Sequence, residues 1–340
     1  MPIPPKGWGA VEILIADHAA MLEAAGHQVT IVNQRDRTLA LAEVEASQPE
    51  LVHLHYDEYI TWAEQISCPR IVATSHFAYL EVFTQWWGLF QAPLLVRALR
   101  WGRRLLPARL LLALGCPRPL LSALSYEPFF RAFLRSRCGL ICLSPSIAAV
   151  YRRFGFRGEI EVCPNGARDD LIHYCAAPQY PDLSVCVGKI EPRKRQAQLA
   201  SMPDLRFVGP IVDPSFPVDH PGYLGPWTRE QLFSRLTQYA NLVLLSDGEA
   251  HPLVCCEALI AGLGLVVSEQ AAANLDRSLP FISVISEADI SDRRAVERAI
   301  RRNRERCQQV GRDVIRAYGL RAFAMSTWVH RYPPLLQEIG

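Results

Sequence analysis

The chain has 340 residues, half of them hydrophobic, so it is long enough for two domains with separate cores. Its 36 basic and 34 acidic residues give a net charge of +2, which does not favour a nucleic acid as partner. The sequence has no run of about 18 apolar residues and opens with no basic segment followed by an apolar one, which predicts a cytoplasmic protein. Several of its ten cysteines lie in apolar patterns, which predicts buried, reduced thiols.

Helical and strand patterns alternate through the first half of the chain. Predicted helices cover residues 11–25 and 38–47, and another begins at Ser144 with Pro145 in its first turn. Predicted strands cover residues 27–32, 50–55, 70–75, 139–143 and 159–163. This alternation predicts a parallel, doubly wound α/β domain.

The first predicted helix has no strand before it, because the chain begins Met-Pro-Ile-Pro-Pro-Lys-Gly-Trp-Gly. In a doubly wound sheet the first strand is central, and its loss would leave unpaired backbone on both neighbours. We therefore expect a sheet that lacks its first strand. Either the true start lies upstream or another segment fills the gap.

An arginine-rich helical insertion is predicted at about residues 81–137. From Glu81 to Leu140 the chain has nine arginines, no lysine and two acidic residues, so this segment carries +7. Residues 94–106 predict a basic amphipathic helix, with Arg97, Arg100 and Arg104 on one side and Leu95, Leu99 and Leu106 on the other. With Trp86, Trp87 and Trp101 nearby, this helix could rest on an anionic membrane surface or hold a lipid-linked acceptor. Alternatively, its leucines pack on the core of their own domain.

A change of composition separates the two halves. Residues 176–182 are rich in Pro, Gln, Tyr and Asp, which predicts a linker. A second α/β series follows, with predicted strands at 183–188, 205–208, 223–225, 241–246, 264–268 and 281–285. Two long helices, at about 292–317 and 321–338, are expected to close the chain.

The stretch from Glu249 to Glu257 places two carboxylates eight positions apart around a strand-to-helix junction. The apolar run before Asp247 predicts a buried strand, and Pro252 suits the first turn of the helix that follows. Ligands bind in the crevice at this edge of open α/β sheets. The backbone NH groups of Leu253 and Val254 would point from the helix N-terminus toward a phosphate. The alternative is that both glutamates are solvated residues at a helix start.

A cluster of cations follows the first strand of the second half, in the sequence Val-Gly-Lys-Ile-Glu-Pro-Arg-Lys from residue 187 to 194. Lys189 and Lys194 are candidates to clamp a diphosphate and to neutralise a leaving nucleoside diphosphate. Both would face the same crevice as Glu249. Solvated loop charges are the alternative for each cation.

Histidines end two strands of the first half. His76 follows a β-branched strand and is a candidate to reach the ligand, although a lone histidine is usually structural. His53 and His55 share one face of the preceding strand and are expected to pack or hydrogen-bond, with His55 at the strand's end. No spacing of His, Cys, Asp and Glu predicts a metal site.

Taken together and in order, these motifs resemble those of the retaining glycosyltransferases of family 4. The resemblance covers nearly the whole chain, and its motifs are Lys6-Gly7-Trp8-Gly9-Ala10-Val11-Glu12, Thr74-Ser75-His76, Leu143-Ser144-Pro145-Ser146, Pro164-Asn165-Gly166, Gly188 to Lys194 and the pair Glu249 and Glu257. It implies the GT-B fold, in which two Rossmann-like domains face each other across a cleft. The expected domains are an acceptor-side domain at 1–175, a donor-binding domain at 176–318 and a helix at 319–340 that packs back on the first domain.

The resemblance also implies roles for matching residues. Glu249 would bind hydroxyls of the donor sugar, and Glu257 would bind the ribose. Gly188, Lys189 and Lys194 would surround the diphosphate together with the NH groups of Leu253 and Val254, and His76 would lie near the transferred sugar. Lys189 stands where many members have arginine, which replaces a forked contact with a point charge. Gly7 and Gly9 would let the backbone approach donor and acceptor, although both could equally be ordinary turn residues.

The implied reaction transfers a sugar, with retention, from a nucleoside diphosphate sugar to a hydroxyl of a glycan, a lipid-linked or a small-molecule acceptor. The acceptor would attack from the face that the diphosphate leaves, without a covalent enzyme intermediate, cofactor or obligatory metal. Catalysis would rest on His76, Glu249 and Lys194, and domain closure would exclude water. Two alternatives stay open, a nucleotide-sugar-binding protein that has lost transfer and a nucleotide-sugar epimerase.

Overall fold

The computed structural model describes residues 3, 4 and 8–338, without the side chains of Pro93, Arg104, Ala108, Arg109, Ala113 and 333–338. The strands are β1 Val52–Leu54, β2 Ile71–Thr74, β3 Gly139–Cys142, β4 Ile160–Val162, β5 Tyr180–Val187, β6 Leu205–Val208, β7 Tyr239–Leu244, β8 Gly264–Ser268 and β9 Ile282–Ile285. The helices are α1 Ala10–Ala24, α2 Arg37–Ser47, α3 Leu80–Phe83, α4 Pro93–Leu105, α5 Ala108–Ala113, α6 Arg118–Arg135, α7 Pro145–Arg153, α8 Gln196–Leu199, α9 Arg229–Arg235, α10 Leu253–Ile260, α11 Glu287–Ile290, α12 Arg293–Val310, α13 Arg312–Phe323 and α14 Met325–Glu338.

Two compact units divide the chain by their internal contacts. The middle unit runs from Val32 to Cys163 and takes the last described residues from Leu335. The carboxyl-terminal unit runs from Pro164 to Pro334 and takes the residues up to Ile31, so that it includes helix α1. The domain limits expected from the sequence, at 175 and 318, stay a prediction.

The middle unit contains a four-stranded parallel sheet in the order β1-β2-β3-β4. The predicted helix at Ser144 is confirmed as α7, where the Ser144 side chain accepts a hydrogen bond from the Ile147 NH and Pro145 takes the first helical position. This geometry stops β3 and directs the chain back along the sheet. The sheet follows the parallel α/β pattern that the sequence predicts.

The strand predicted at residues 27–32 is wrong, because residues 27–34 form no ladder with any described strand. A strand needs a hydrogen-bonding neighbour, and no described strand pairs with this segment. Strand β1 consequently stands at the edge of the sheet.

The long insertion between β2 and β3 is helical and packs through aromatic side chains. Phe83 of α3 and Phe130 of α6 are fully buried, with ring centroids 5.0 Å apart in an edge-on arrangement. Tyr126 of α6 stacks on Phe77 at 3.7 Å and hydrogen-bonds Tyr151 of α7 at 2.8 Å. These contacts anchor α6 to the body of the middle unit.

The carboxyl-terminal unit contains a five-stranded parallel sheet in the order β6-β5-β7-β8-β9. Every residue of β7 is buried, because the sheet is covered on both faces. Leu242 and Leu244 pack in one core with α10 and α13, whereas Val243 packs in the other with α12. Gly319 of α13 permits the crossing with α10, since a Cβ there would lie 2.6 Å from the Leu259 carbonyl carbon.

Three boundaries in this unit differ from the predictions. Strand β5 already begins at Tyr180, inside the predicted linker, and Tyr223 makes only an isolated bridge to Phe207 instead of starting a strand. The structure has three helices where the sequence predicts two at the end of the chain. Gly311, with a left-handed φ of +86°, separates α12 from α13, and the extended Ala324 separates α13 from α14. In the described part of the chain, no helix has the length and apolarity needed to cross a membrane.

Candidate functional site

The carboxyl ends of β5 and β7 bring two loops of the carboxyl-terminal unit together. Strands β5 and β7 are neighbours in the sheet, so the loop after each opens at the same edge. The Asp247 NH of the second loop donates to the Arg193 carbonyl of the first at 2.9 Å. The loop that carries the cations at 189–194 therefore lies beside the loop that carries Glu249.

Arg193 joins these two loops through its side chain. Its guanidinium donates to Ser246 Oγ at 3.2 Å and to the Gly248 carbonyl, and its Nη1 lies 2.9 Å from Glu249 Oε1 in an ion pair. Nη2 pairs with Glu191 at 2.9 Å on the other side. Sequence patterns indicate no role for Arg193, whose only signal is its place between two candidate cations.

Lys194 folds back over the end of β5. Gly188 has a φ of +140°, and a Cβ at this position would collide with the Lys194 ammonium. Lys194 and Glu249 act in opposite directions on the pKa of Cys255, which burial raises, Glu249 raises further and Lys194 lowers. The ammonium, the carboxylate and the start of α10 thus lie within electrostatic range of one another. Across residues 8–338, no carboxylate forms an ion pair with Lys194 or with Lys189.

The N-terminus of α10 adds backbone donors to the site. Pro252 is the residue before the helix rather than its first residue, and it offers no side-chain acceptor to cap the helix. The NH groups of Leu253 and Val254 precede the first hydrogen bond that an α-helix can make. They carry the positive end of the helix dipole and are suited to an anion.

Glu257 lies one turn further along α10 and is buried. Burial raises its pKa to about 7, while Arg229 lowers it and Asp17 raises it. Asp17 of α1 binds Arg229 through both carboxylate oxygens, at 2.9 and 2.7 Å, and lies 3.5 Å from Arg168. Helix α1 therefore places a charge network beside Glu257. No sequence pattern indicates this network, because its members are far apart in the chain.

His251 fixes the backbone between Glu249 and α10. Its Nδ1 accepts from the Asn165 NH at 3.0 Å, and its carbonyl accepts from the Asn165 amide at 3.2 Å. Burial lowers the His251 pKa to about 4, so at neutral pH the ring is uncharged with its proton on Nε2, which lies 3.8 Å from Cys256 Sγ. The motif Pro164-Asn165-Gly166, one of those that carry the family resemblance, thus holds the loop that carries Glu249.

The remaining candidates lie elsewhere. His76 belongs to the middle unit, where burial lowers its pKa to about 4 and its Nε2 has no hydrogen-bond partner among the described residues. His53 hydrogen-bonds Thr74 at 2.8 Å, as expected for a structural residue. Gly9 precedes α1 with an extended φ of −145°, and Gly7 lies outside the described residues. Within the described part of the chain, no three His, Cys, Asp or Glu residues are grouped to hold a metal ion.

The similarity of this chain to known proteins is seen in its structure. No protein-family model matches this chain. No curated protein matches it either.

Solved structures match along nearly the whole chain. The sucrose-phosphate synthase tll1590 from Thermosynechococcus elongatus is 16% identical, with a TM-score of 0.60 over 97% of this chain and 93% of that one. AviGT4, a glycosyltransferase involved in avilamycin A biosynthesis, is 15% identical, with a TM-score of 0.64 over 100% and 92%. Anabaena Alr3699/HepE, solved in complex with UDP-glucose, is 13% identical, with a TM-score of 0.62 over 97% and 96%. At these identities the likeness concerns the fold, and the chain has the α/β fold of the GT-B glycosyltransferases.

Proposed function

We propose that this protein is a retaining glycosyltransferase that moves a sugar from a nucleoside diphosphate sugar to an acceptor hydroxyl. The observation that carries the proposal is the arrangement of Lys194, Glu249 and the N-terminus of α10 at one edge of the sheet. A nucleoside diphosphate sugar presents two phosphates between two hydroxyl-rich sugar rings. The site offers donors for the phosphates and carboxylates for the rings.

The diphosphate would bind between the ammonium groups and α10. Lys194 is held over Gly188, and neither Lys194 nor Lys189 is neutralised by an ion pair in the described part of the chain. Backbone NH groups at a helix N-terminus bind phosphate oxygens without a counter-charge of their own. When the bond to the sugar breaks, negative charge builds up on the leaving diphosphate, and these groups would stabilise it.

The two glutamates would bind the sugar rings on either side of the diphosphate. Glu249 is positioned by Arg193 and would accept hydrogen bonds from hydroxyls of the transferred sugar. Glu257 is buried further along α10 and would bind the ribose hydroxyls. Its raised pKa of about 7 lets it act as an acceptor when ionised and also as a donor when protonated.

Retention, the catalytic role of His76 and the lack of a cofactor or obligatory metal belong to this proposal through the family resemblance. The acceptor hydroxyl would attack from the face that the diphosphate leaves, so no side chain would need to form a bond to the sugar. The neutral His76 can exchange one hydrogen bond with a sugar hydroxyl. The HepE structure contains UDP-glucose, which makes UDP-sugars the first donors to test.

The test is release of nucleoside diphosphate from a panel of UDP-, GDP- and ADP-sugars. We expect release from one donor, which Glu249→Ala and Lys194→Ala abolish. Glu305→Ala and Arg301→Ala, on the exposed surface of α12, serve as charge-matched controls and should keep the activity. The anomeric configuration of the product, determined by NMR, tests retention.

Two results would contradict the proposal. Donor binding without release, with every acceptor offered, would indicate a binding protein that has lost transfer. An epimeric nucleotide sugar without free nucleoside diphosphate would indicate an epimerase.

A further inference from the structure

An apolar stripe faces outward from helix α4 of the middle unit. Leu94, Trp101 and Leu105 are 79%, 65% and 61% exposed, and the exposed Ala98 lies between them. These residues are spaced by four, three and four positions, so they follow one side of the helix. From Leu94 to Leu105 the stripe rises over eleven positions and is about 16 Å long. A soluble surface rarely arranges large apolar side chains in this way unless a partner binds them.

The opposite side of α4 faces the protein, and it carries arginines as well as apolar residues. Val96 is buried, Arg100 Nη2 lies 2.5 Å from Glu127 Oε2, and Arg103 donates to the Leu121 carbonyl at 3.0 Å. The alternative that the leucines of this helix pack on their own core is wrong for Leu95 and Leu106, which are exposed, and Leu94 and Leu105 are exposed as well. The helix is turned so that Arg100 lies inside and the apolar stripe lies outside.

The charge around the stripe is positive. Arg97 is exposed on the flank of α4, and no described carboxylate is paired with it. Glu127, one of the two acidic residues in the segment from Glu81 to Leu140, is bound by both Arg100 and Arg131. The partner of this surface must therefore offer an apolar environment to the side chains of the stripe and carry negative charge.

More exposed apolar side chains follow α4 in the chain. Leu106 follows the helix, and Leu110 and Leu114 are exposed in and after α5. Of the large apolar residues that are exposed in the described chain, half lie between residues 94 and 114: Leu94, Leu95, Trp101, Leu105, Leu106, Leu110 and Leu114. Exposed large apolar side chains are thus concentrated in this insertion rather than spread evenly over the surface.

We propose that α4 and α5 dock this protein on an anionic membrane surface. Leucine and tryptophan side chains would enter the boundary between headgroups and acyl chains, and Arg97 would contact the headgroups. A lipid surface supplies both the apolar depth and the negative charge that the stripe and its flank require. A second copy of the chain fits poorly, because two such segments, each with a charge of +7, would repel each other.

Co-sedimentation with vesicles tests the proposal without the need for a donor or an acceptor. The wild type should bind vesicles of phosphatidylcholine with 30% phosphatidylglycerol, and binding should fall with added salt. The triple variant L94Q/W101Q/L105Q should bind at least about tenfold less, since it removes three apolar anchors. Arg97→Gln should weaken binding about fivefold. The matched controls are V212Q/V218Q, two exposed valines of the other unit, and Arg301→Gln on α12.

A second measurement distinguishes insertion from simple charge attraction. Brominated lipids should quench the fluorescence of the wild type more than that of Trp101→Phe, because Trp101 would lie among the acyl chains. The far-ultraviolet circular dichroism and melting temperature of each variant establish that it is folded.

Three results would overturn the proposal. One is failure of the wild type to bind anionic vesicles, and another is binding that the triple variant retains in full. The third is a concentration-dependent dimer, seen by light scattering without lipid and abolished by the triple variant, which would assign the stripe to a second copy.

Discussion

Arg193 Nη1 lies 2.9 Å from Glu249 Oε1, so the carboxylate proposed to bind the sugar is itself positioned by a cation of the neighbouring loop. The same guanidinium contacts the Gly248 carbonyl and Ser246 Oγ, which precede Glu249 in the chain. Arg193 therefore orients both the side chain of Glu249 and the backbone that carries it. It acts through Glu249, as a positioning residue, and the donor need not touch it.

Replacement of Arg193 should lower kcat/KM for donor turnover. Arg193→Ala removes hydrogen bonds made by a charged group, each worth about 1.5–3 kcal/mol, which corresponds to a loss of about tenfold or more. Arg193→Lys should be intermediate, because a lysine keeps the charge but loses the forked geometry. Arg195→Ala is the control, since Arg195 binds the partly exposed Glu287 instead. Equal activity of Arg193→Ala and Arg195→Ala would show that Arg193 does not position Glu249.

A methyl group at Gly188 should displace the Lys194 ammonium. Gly188→Ala adds backbone strain on the order of 1–3 kcal/mol at a φ of +140° and places its Cβ where the ammonium lies. Gly225→Ala also adds backbone strain, at a φ of +74°, but its Cβ would meet no atom within 4 Å. We expect both variants to melt at lower temperature and only Gly188→Ala to bind nucleoside diphosphate more weakly in calorimetric titrations. Unchanged affinity in Gly188→Ala would argue against the proposed role of Lys194.

The buried Glu257 should make the free energy of unfolding depend on pH. Its pKa is raised from 4.5 to about 7 in the folded protein, so between these values the folded state holds a proton that the unfolded state has released. Stability should therefore fall as pH rises from 4.5 to 7, by about 3 kcal/mol for this group. Glu257→Gln lacks this proton, so the stability of the wild type relative to the variant should decline across the same window. Urea unfolding of both proteins at pH 4.5, 6 and 7.5 measures this difference, and a constant difference would contradict the raised pKa.

Loss of His251 should affect stability and activity together. His251→Ala leaves the Asn165 NH without its acceptor, which costs about 1–3 kcal/mol, and releases the backbone that follows Glu249. His251→Gln, which retains an acceptor, should recover part of the loss. His330→Ala, at an exposed position of α14, should change neither property. The check is chemical unfolding combined with the donor-release assay, and full activity of His251→Ala would exclude a role for this contact in the site.

Local patterns predicted the elements that carry the site. The apolar run before Asp247 and the proline at 252 indicated a buried strand followed by a helix, and β7 and α10 lie there. Neighbouring parallel strands place the loops at their carboxyl ends along one edge of the sheet. The α/β fold class was therefore enough to predict that the loops after β5 and β7, at 188 and 249, lie close together.

The features that local patterns missed depend on residues distant in the chain. Asp17 and Arg229 are separated by 212 positions, and no spacing in the sequence indicates that they pair. Local patterns also did not predict the orientation of α4. Arg100 faces inward because it pairs with Glu127, which lies 27 positions away in the chain. The break at Gly311 was missed because a glycine inside a periodic helical pattern does not reveal its backbone dihedral angle.

The ammonium of Lys194, which forms no ion pair with a carboxylate among the described residues, also makes the site accessible to reagents that modify amines. The chain contains only three lysines, Lys6, Lys189 and Lys194, and two of them belong to the loop after β5. An amine-selective reagent would therefore modify mainly this loop and the chain's own amino terminus. Peptide mass spectrometry after brief acylation, with and without a nucleoside diphosphate sugar, would report donor occupancy at Lys189 and Lys194 directly, before any acceptor is known.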